Sequence, residues 1–209
     1  MTRHAAVQRE TSETKITLSL NLDDPVAVLS DGPVGIDTGV GFFDHMLTAV
    51  AKHGRLALAV RCHGDTHIDD HHTVEDVGLV LGQALGQALG DKRGIERYGS
   101  ANVPMDETLA RCDLDLSGRP ALVFRVPWVG YGIDPPAIAG ERIGKFDVQL
   151  VEEFFRAVSN EAKMNLHLEV PWGTNNHHIA EALFKSFARA LRAAVAVTHG
   201  DIPSTKGSL

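Results

Sequence analysis

The chain has 209 residues, 44% of them hydrophobic and 22% charged, an ordinary globular composition with enough apolar material for a substantial core. Its formal net charge is −7, with lysines and arginines scattered among the acids. That argues against a nucleic-acid surface and leaves room for a local phosphate pocket. No apolar run approaches the ~20 residues that span a bilayer. The polar start, Met1 to Glu13, lacks the apolar core of a signal peptide. Cys62 and Cys112 form no CxxC pair, so a reduced, cytoplasmic protein is expected.

In chain order, Met1 to Glu13 reads as a flexible arm. Lys15 to Leu22 alternates with period two, as a half-buried strand does. Turn residues at Asp23-Asp24-Pro25 and Ser30-Asp31-Gly32-Pro33 bracket a second short strand. Phe42 to Ala51 is apolar at helical spacing, Leu56 to Cys62 reads as a strand, and a helix from His72 to Leu89 stops near Gly90. Along that helix Gly78, Gly82, Gly86 and Gly90 recur every fourth residue, which suggests close helix approach rather than nucleotide binding. Leu109 to Leu116 alternates again, turns at Ser117-Gly118-Arg119-Pro120, and Ala121 to Val126 is expected to pair back. A helix over Val148 to Val158, a strand over Asn165 to Val170 and a helix over His178 to Val197 follow. The order β-β-α-β-α thus occurs twice. It predicts an α+β fold of tandem duplicated halves with their helices packed together around a pseudo-twofold axis. The expected units are an arm (1–13), a first half (14–95), a second half (96–198) and a C-terminal tail (199–209).

The chemistry is carried by a cluster that also occurs twice: His71-His72-Thr73-Val74-Glu75 and, 106 positions later, His177-His178-Ile179-Ala180-Glu181. On a helix, His71 and Glu75 share one face, as do His177 and Glu181. Imidazole with carboxylate suits borderline divalent ions such as Mn, Fe, Co or Zn. Adjacent histidines differ in direction by about a quarter turn or slightly more, so they cannot easily grip the same ion. Two ions per chain is the simpler reading, each pair contributing to both. One copy alone would equally suit two solvated histidines opening an amphipathic helix; repetition in matching surroundings favours metal. His45 lies 26 residues before His71 and Glu153 lies 24 before His177. Both fall early in the first helix of their half and are candidate further ligands.

Other signals are open. The tail Ile202-Pro203-Ser204-Thr205-Lys206-Gly207 either cradles a phosphate or is a polar chain end. Arg97 and Arg119 stand in turn-like settings as candidate phosphate clamps. Asp106-Glu107 reads equally as a catalytic carboxylate or the start of a strand, and Glu13 is similarly ambiguous. His4, His53, His63, His67, His167 and His199 have no repeated partner and read as structural or exposed.

Phe43-Asp44-His45-Met46-Leu47, Asp69 to Asp76, Pro104-Met105-Asp106-Glu107, Asp115 to Pro120, Asn176 to Ala182 and Pro203 to Gly207 together carry a resemblance over nearly the whole chain. From about Glu10 onward it resembles the imidazoleglycerol-phosphate dehydratase family of histidine biosynthesis. The resemblance implies a fold of two ribosomal S5 domain 2-like halves and a metal-dependent hydro-lyase. It implies two Mn²⁺ per subunit, held through His45, His71, His72, Glu75, Glu153, His177, His178 and Glu181. Substrate contacts carry over to Glu13, His45, His71, Arg97, Arg119, Lys185, Ser204, Thr205 and Lys206, with the tail serving the phosphate. Proton transfer falls to Glu13, His72, Glu181 or a metal-bound water. The implied reaction removes water from imidazoleglycerol phosphate to give imidazole acetol phosphate, through a metal-bound imidazolate and a diazafulvene-like intermediate. The implied assembly is a 24-subunit shell with active sites at subunit contacts. Several family members have His where this chain has Glu153, and Phe124 to Lys145 is longer than the family pattern. A di-metal hydrolase of a phosphorylated metabolite and a non-catalytic, metal-assembled shell protein are the rival readings.

Overall fold

The computed structural model describes residues 3–25, 35–128, 142–198, 200–205 and 207. The first half comprises β1 (His4–Glu10), β2 (Thr14–Asn21), β3 (Ile36–Asp37), α1 (Gly41–Gly54), β4 (Ala57–Gly64) and α2 (His71–Leu89). The second comprises β5 (Tyr98–Met105), β6 (Thr108–Asp115), β7 (Ala121–Arg125), the short pair β8 (Arg142–Ile143) and β9 (Phe146–Asp147), then α3 (Gln149–Ala162), β10 (Asn165–Trp172) and α4 (Asn176–Ala194). The two four-stranded sheets have matching orders, β1-β2-β4-β3 and β5-β6-β10-β7. The expected β-β-α-β-α order is present in each half, and each half carries one further strand in front of it.

That leading strand corrects two expectations. The segment expected as a flexible arm forms β1, paired antiparallel with β2 from His4↔Asn21 to Glu10↔Lys15. The turn between them is closed by Thr11, whose Oγ1 accepts from the backbone N–H of Glu13 and Thr14. In β1 only Ala5 and Val7 face the core, too few apolar residues for hydropathy to reveal the strand. Likewise β5 is the hairpin partner of β6, so β7 does not pair back on β6. Instead β7 lies parallel to β10, with α3 as the crossover between them. β3 lies parallel to β4 across α1 in the same way. The short strand expected after Pro25, and most of Phe124 to Lys145, lie outside the described residues.

The halves join through their helices: α2 packs against α3, and α1 against α4, as a pseudo-twofold requires. The glycine row explains the first contact. A Cβ at Gly78 would come within 2.8 Å of the Phe154 carbonyl oxygen, and one at Gly82 within 2.6 Å of Glu161 Cβ. Only hydrogen at these positions lets the backbones approach so closely. Among helices α1, α3 and α4 sits an aromatic cluster of Phe43, Phe154, Phe155, Phe184 and Phe187, all fully buried, with contacting ring centroids 4.8 to 5.3 Å apart. Cys62 and Cys112 are buried free thiols in β4 and β6. Among the described residues, no helix is long and apolar enough to cross a membrane.

Candidate functional site

Helix α4 opens on Asn175, whose side-chain oxygen accepts from the N–H groups of His177 and His178. This cap fixes the first turn and with it the two imidazoles. Because α1 packs against α4, His45, the fifth residue of α1, meets that turn. His45 Nε2 lies 3.4 Å and His177 Nε2 3.2 Å from Glu181 Oε2. One ligand atom from each of the three residues lies within 4.8 Å of the others. Two imidazoles and a carboxylate converging on one point form a donor set suited to a borderline divalent ion. Glu181 is buried, and its other oxygen accepts from Lys185 Nζ at 2.7 Å. Burial pushes the Glu181 carboxyl up, but the Lys185 ammonium, together with His45 and His177, outweighs it and holds the group below its usual range.

Helix α2 repeats the arrangement. Asp69 accepts from the His71 N–H, and His71 Nε2 lies 3.6 Å from Glu75 Oε2 on the same face. Glu153 holds in α3 the place that His45 holds in α1, and α3 packs against α2. Among the described residues, however, the one close three-ligand group is that of His45, His177 and Glu181, and Glu153 is not drawn into it. A cavity of about 490 Å³ opens beside His71, where Asp69 and Asp70 face Arg142 and Lys145. Sequence reasoning singled out neither cation, since both follow a stretch without recognisable pattern.

Adjacent histidines diverge as their helical spacing requires. The His71 and His72 ring centroids are 6.1 Å apart at 86°, and those of His177 and His178 are 6.3 Å apart at 84°. His72 Nδ1 lies 3.0 Å from Asp65 Oδ2, and its Nε2 lies 3.8 Å from Glu13 Oε1. The Asp65 hydrogen bond raises the His72 pKa above its ordinary value. His178 Nδ1 lies 2.7 Å from Glu107 Oε2, with Asp106 3.6 Å from Nε2. Glu107 Oε1 accepts from the N–H groups of Thr174 and Asn175 and from Thr108 Oγ1. The His178 hydrogen bond, reinforced by these donors, brings the Glu107 carboxyl down to about 2. Glu107 thus occupies the β5–β6 turn and faces an imidazole. Asp65 was missed because a lone acid after a strand resembles any loop residue.

The remaining expected substrate residues lie elsewhere. Arg97 donates from Nε and Nη2 to Asp115, at 2.6 and 3.0 Å, and from Nη1 to the Pro203 carbonyl at 2.9 Å. It therefore anchors the tail that carries Ser204 and Thr205, while Lys206 lies outside the described residues. Arg119 is exposed on the turn after β6. Asp115 and Glu107 bound opposite ends of β6, about 23–26 Å apart at ~3.3 Å per residue. Along α4, His178 and Ala194, whose carbonyl accepts from the Arg97 N–H, are separated by about 24 Å at 1.5 Å per residue. Within one chain, the histidines and the tail cluster lie at opposite ends.

A family model described as imidazoleglycerol-phosphate dehydratase matches residues 38–191. An imidazoleglycerol-phosphate dehydratase of Streptococcus mutans is 56% identical over 99% of this chain and 100% of its own length. One of Azorhizobium caulinodans is 53% identical over 99% of this chain and 98% of its own. Among solved structures, the Staphylococcus aureus dehydratase is 41% identical with a TM-score of 0.77, covering 93% of this chain and 99% of that one. The Pyrococcus furiosus enzyme, in complex with (S)-C348, is 30% identical with a TM-score of 0.79, covering 97% of this chain and 100% of that one.

Proposed function

The chain belongs to the imidazoleglycerol-phosphate dehydratase family, and from that premise we propose how its residues carry out the reaction. It removes water from imidazoleglycerol phosphate to give imidazole acetol phosphate in histidine biosynthesis. The observation carrying the proposal is the convergence of His45, His177 and Glu181 from two helices of opposite halves.

The two imidazoles and the carboxylate would hold one divalent ion, Mn²⁺ by family likeness. His71 and Glu75 would form a second centre, with Glu153 the candidate that α3 offers toward α2. His72 and His178, turned away from their neighbours, would complete centres shared with other copies. Such an ion supplies Lewis-acid polarisation of the substrate's ring, which must accept the electron pair because no carbonyl adjoins the carbon being deprotonated.

The protein's own groups divide the remaining work. The hydroxyl next to the ring leaves with a proton, and the next carbon surrenders one, giving an enol that tautomerises to the ketone. Glu181 is poorly suited to that exchange, since Lys185 and two histidines occupy its oxygens. Glu13 is half exposed and 3.8 Å from His72 Nε2, within reach of a ring seated there. We assign proton transfer to Glu13 and metal holding to Glu181. By family likeness His45 and His71 would flank the ring's seat, with Lys185 beside it, while Arg97, Arg119, Ser204, Thr205 and Lys206 would take the phosphate.

A substrate of this size cannot span the roughly 23 Å between the two ends of one chain. That separation favours a site assembled from several copies, in line with a 24-subunit shell. The buried free thiols of Cys62 and Cys112 fit a cytoplasmic setting.

Exhaustive chelation should abolish ketone formation, and Mn²⁺ should restore it. Full activity after metal removal would sink the assignment. Release of inorganic phosphate in place of ketone would favour the hydrolase reading.

A further inference from the structure

A histidine that ligates a metal through Nε2 must carry its proton on Nδ1, and an acceptor at Nδ1 fixes both that tautomer and the plane of the ring. His72 and His178 each have a carboxylate in that position, at 3.0 and 2.7 Å. These carboxylates do not correspond in the duplication. Asp65 directly follows β4, and the residue that follows β10 is Gly173. Glu107 directly precedes β6, and the residue that precedes β2 is Glu13.

The loop from β10 to α4, Gly173-Thr174-Asn175, contains no acid, whereas the loop from β4 to α2 holds Asp65, Asp69 and Asp70. In the second half, therefore, Glu107 reaches across from the hairpin turn and is locked by the N–H groups of Thr174 and Asn175. In the first half Asp65 serves instead. Its N–H donates to the Glu13 carbonyl, and its side chain is mostly buried against His72. The same ring atom is served from two unrelated elements, so inheritance from one ancestral half does not account for it.

We propose that Asp65 and Glu107 are positioning residues that set His72 and His178 in the Nδ1-protonated form with Nε2 free for the metal. This rests on the metal reading above. Because Asp65 serves the Nδ1 of His72, the Glu13 carboxylate stands 3.8 Å off its Nε2, whereas its counterpart Glu107 is held against His178 Nδ1 and two backbone N–H groups. The two halves are therefore unequal, and the proton-transfer group belongs to the first.

The test is Mn²⁺ titration of the metal-stripped full-length protein, reading free Mn²⁺ by electron paramagnetic resonance. It is accompanied by visible spectra of the Co²⁺-loaded form and by melting of the metal-free form. Asp65→Asn and Glu107→Gln keep size and remove charge. Each should weaken Mn²⁺ binding about 10–100-fold and alter the Co²⁺ spectrum. The metal-free melting curve of Asp65→Asn should stay close to the parent's, while that of Glu107→Gln falls because Glu107 also holds the Thr174 and Asn175 N–H groups. Parent-like affinity and spectrum overturn the inference, and so does a lowered melting temperature with unchanged affinity, which would leave the carboxylates a structural role only. Should Glu107→Gln fail to fold, Asp65→Asn decides alone, since its side chain holds His72 rather than backbone. If the unaltered protein binds no Mn²⁺, it is the metal reading that fails.

Discussion

Lys185 Nζ sits 2.7 Å from Glu181 Oε1, one helical turn along α4, and leaves Oε2 to face His45 and His177. The lysine thereby keeps ionised a carboxylate that burial alone would push toward the neutral acid. Lys185→Met should raise the Glu181 pKa in the metal-free protein. Infrared titration of the carboxyl band checks this, with Lys185→Met/Glu181→Gln identifying the band. Dehydratase activity should fall about tenfold or more, the scale of a lost charge-assisted hydrogen bond of ~1.5–3 kcal/mol. An unmoved carboxyl titration would mean that the histidines, not the lysine, hold Glu181 ionised.

The contact between α2 and α3 gives a prediction with an internal control. At Gly82 a Cβ would sit 2.6 Å from Glu161 Cβ and 2.8 Å from the Val158 carbonyl oxygen, but at Gly86 the nearest atom would be 3.8 Å away. Gly82→Ala should destabilise by about 1–3 kcal/mol through overpacking. Gly86→Ala should be neutral or stabilise by up to ~1 kcal/mol through helix propensity. Denaturant melts of the two variants should therefore move in different directions. If Gly82→Ala matched Gly86→Ala, the close approach of these helices would be wrong.

Acid stability follows from Glu107. Its folded pKa of about 2 lies below the ordinary 4.5, so the unfolded chain binds the proton more tightly than the native one. The stability it contributes is complete above about 4.5 and is lost as pH falls toward 2. Circular dichroism between pH 5 and 2 should show the parent losing stability across this window. Glu107→Gln, which carries no titrating group there, should show a shallower dependence. Equal slopes would remove Glu107 from the account.

What the sequence made legible divides along physical lines. Helical periodicity revealed α1, α2, α3 and α4 because each buries a broad apolar stripe, and the repeated HHxxE gave the metal-ligand candidates because helix geometry fixes i and i+4. The spacing of His45 from His71 gave its counterpart in the other half, Glu153, but not its neighbours: packing across the pseudo-twofold sets His45 against His177 and Glu181. That choice depends on which helices pack, and no local pattern encodes it. β1 and β5 escaped because β1 shows only two buried apolar residues and β5, with Pro104 and Gly99, lacks strand composition. Asp65 and Glu107 acquire meaning only from the imidazoles they meet.

At the far end of the second sheet, the Arg97–Asp115 pair is mostly shielded from solvent, and the same guanidinium holds the Pro203 carbonyl. Asp115 raises the Arg97 pKa and fixes its plane, leaving Nη1 aimed at the tail. Asp115→Asn should keep the shape but lose the charge-assisted fork, at a cost of about 1.5–3 kcal/mol in stability. With Arg97 less firmly aimed, Ser204 and Thr205 lose their anchor. If they serve the phosphate, remote from the chemistry, KM should rise while kcat changes little. Steady-state kinetics on imidazoleglycerol phosphate decide the matter. A fall in kcat at constant KM would place the tail's contribution in the transition state, and no change in either would detach it from substrate binding.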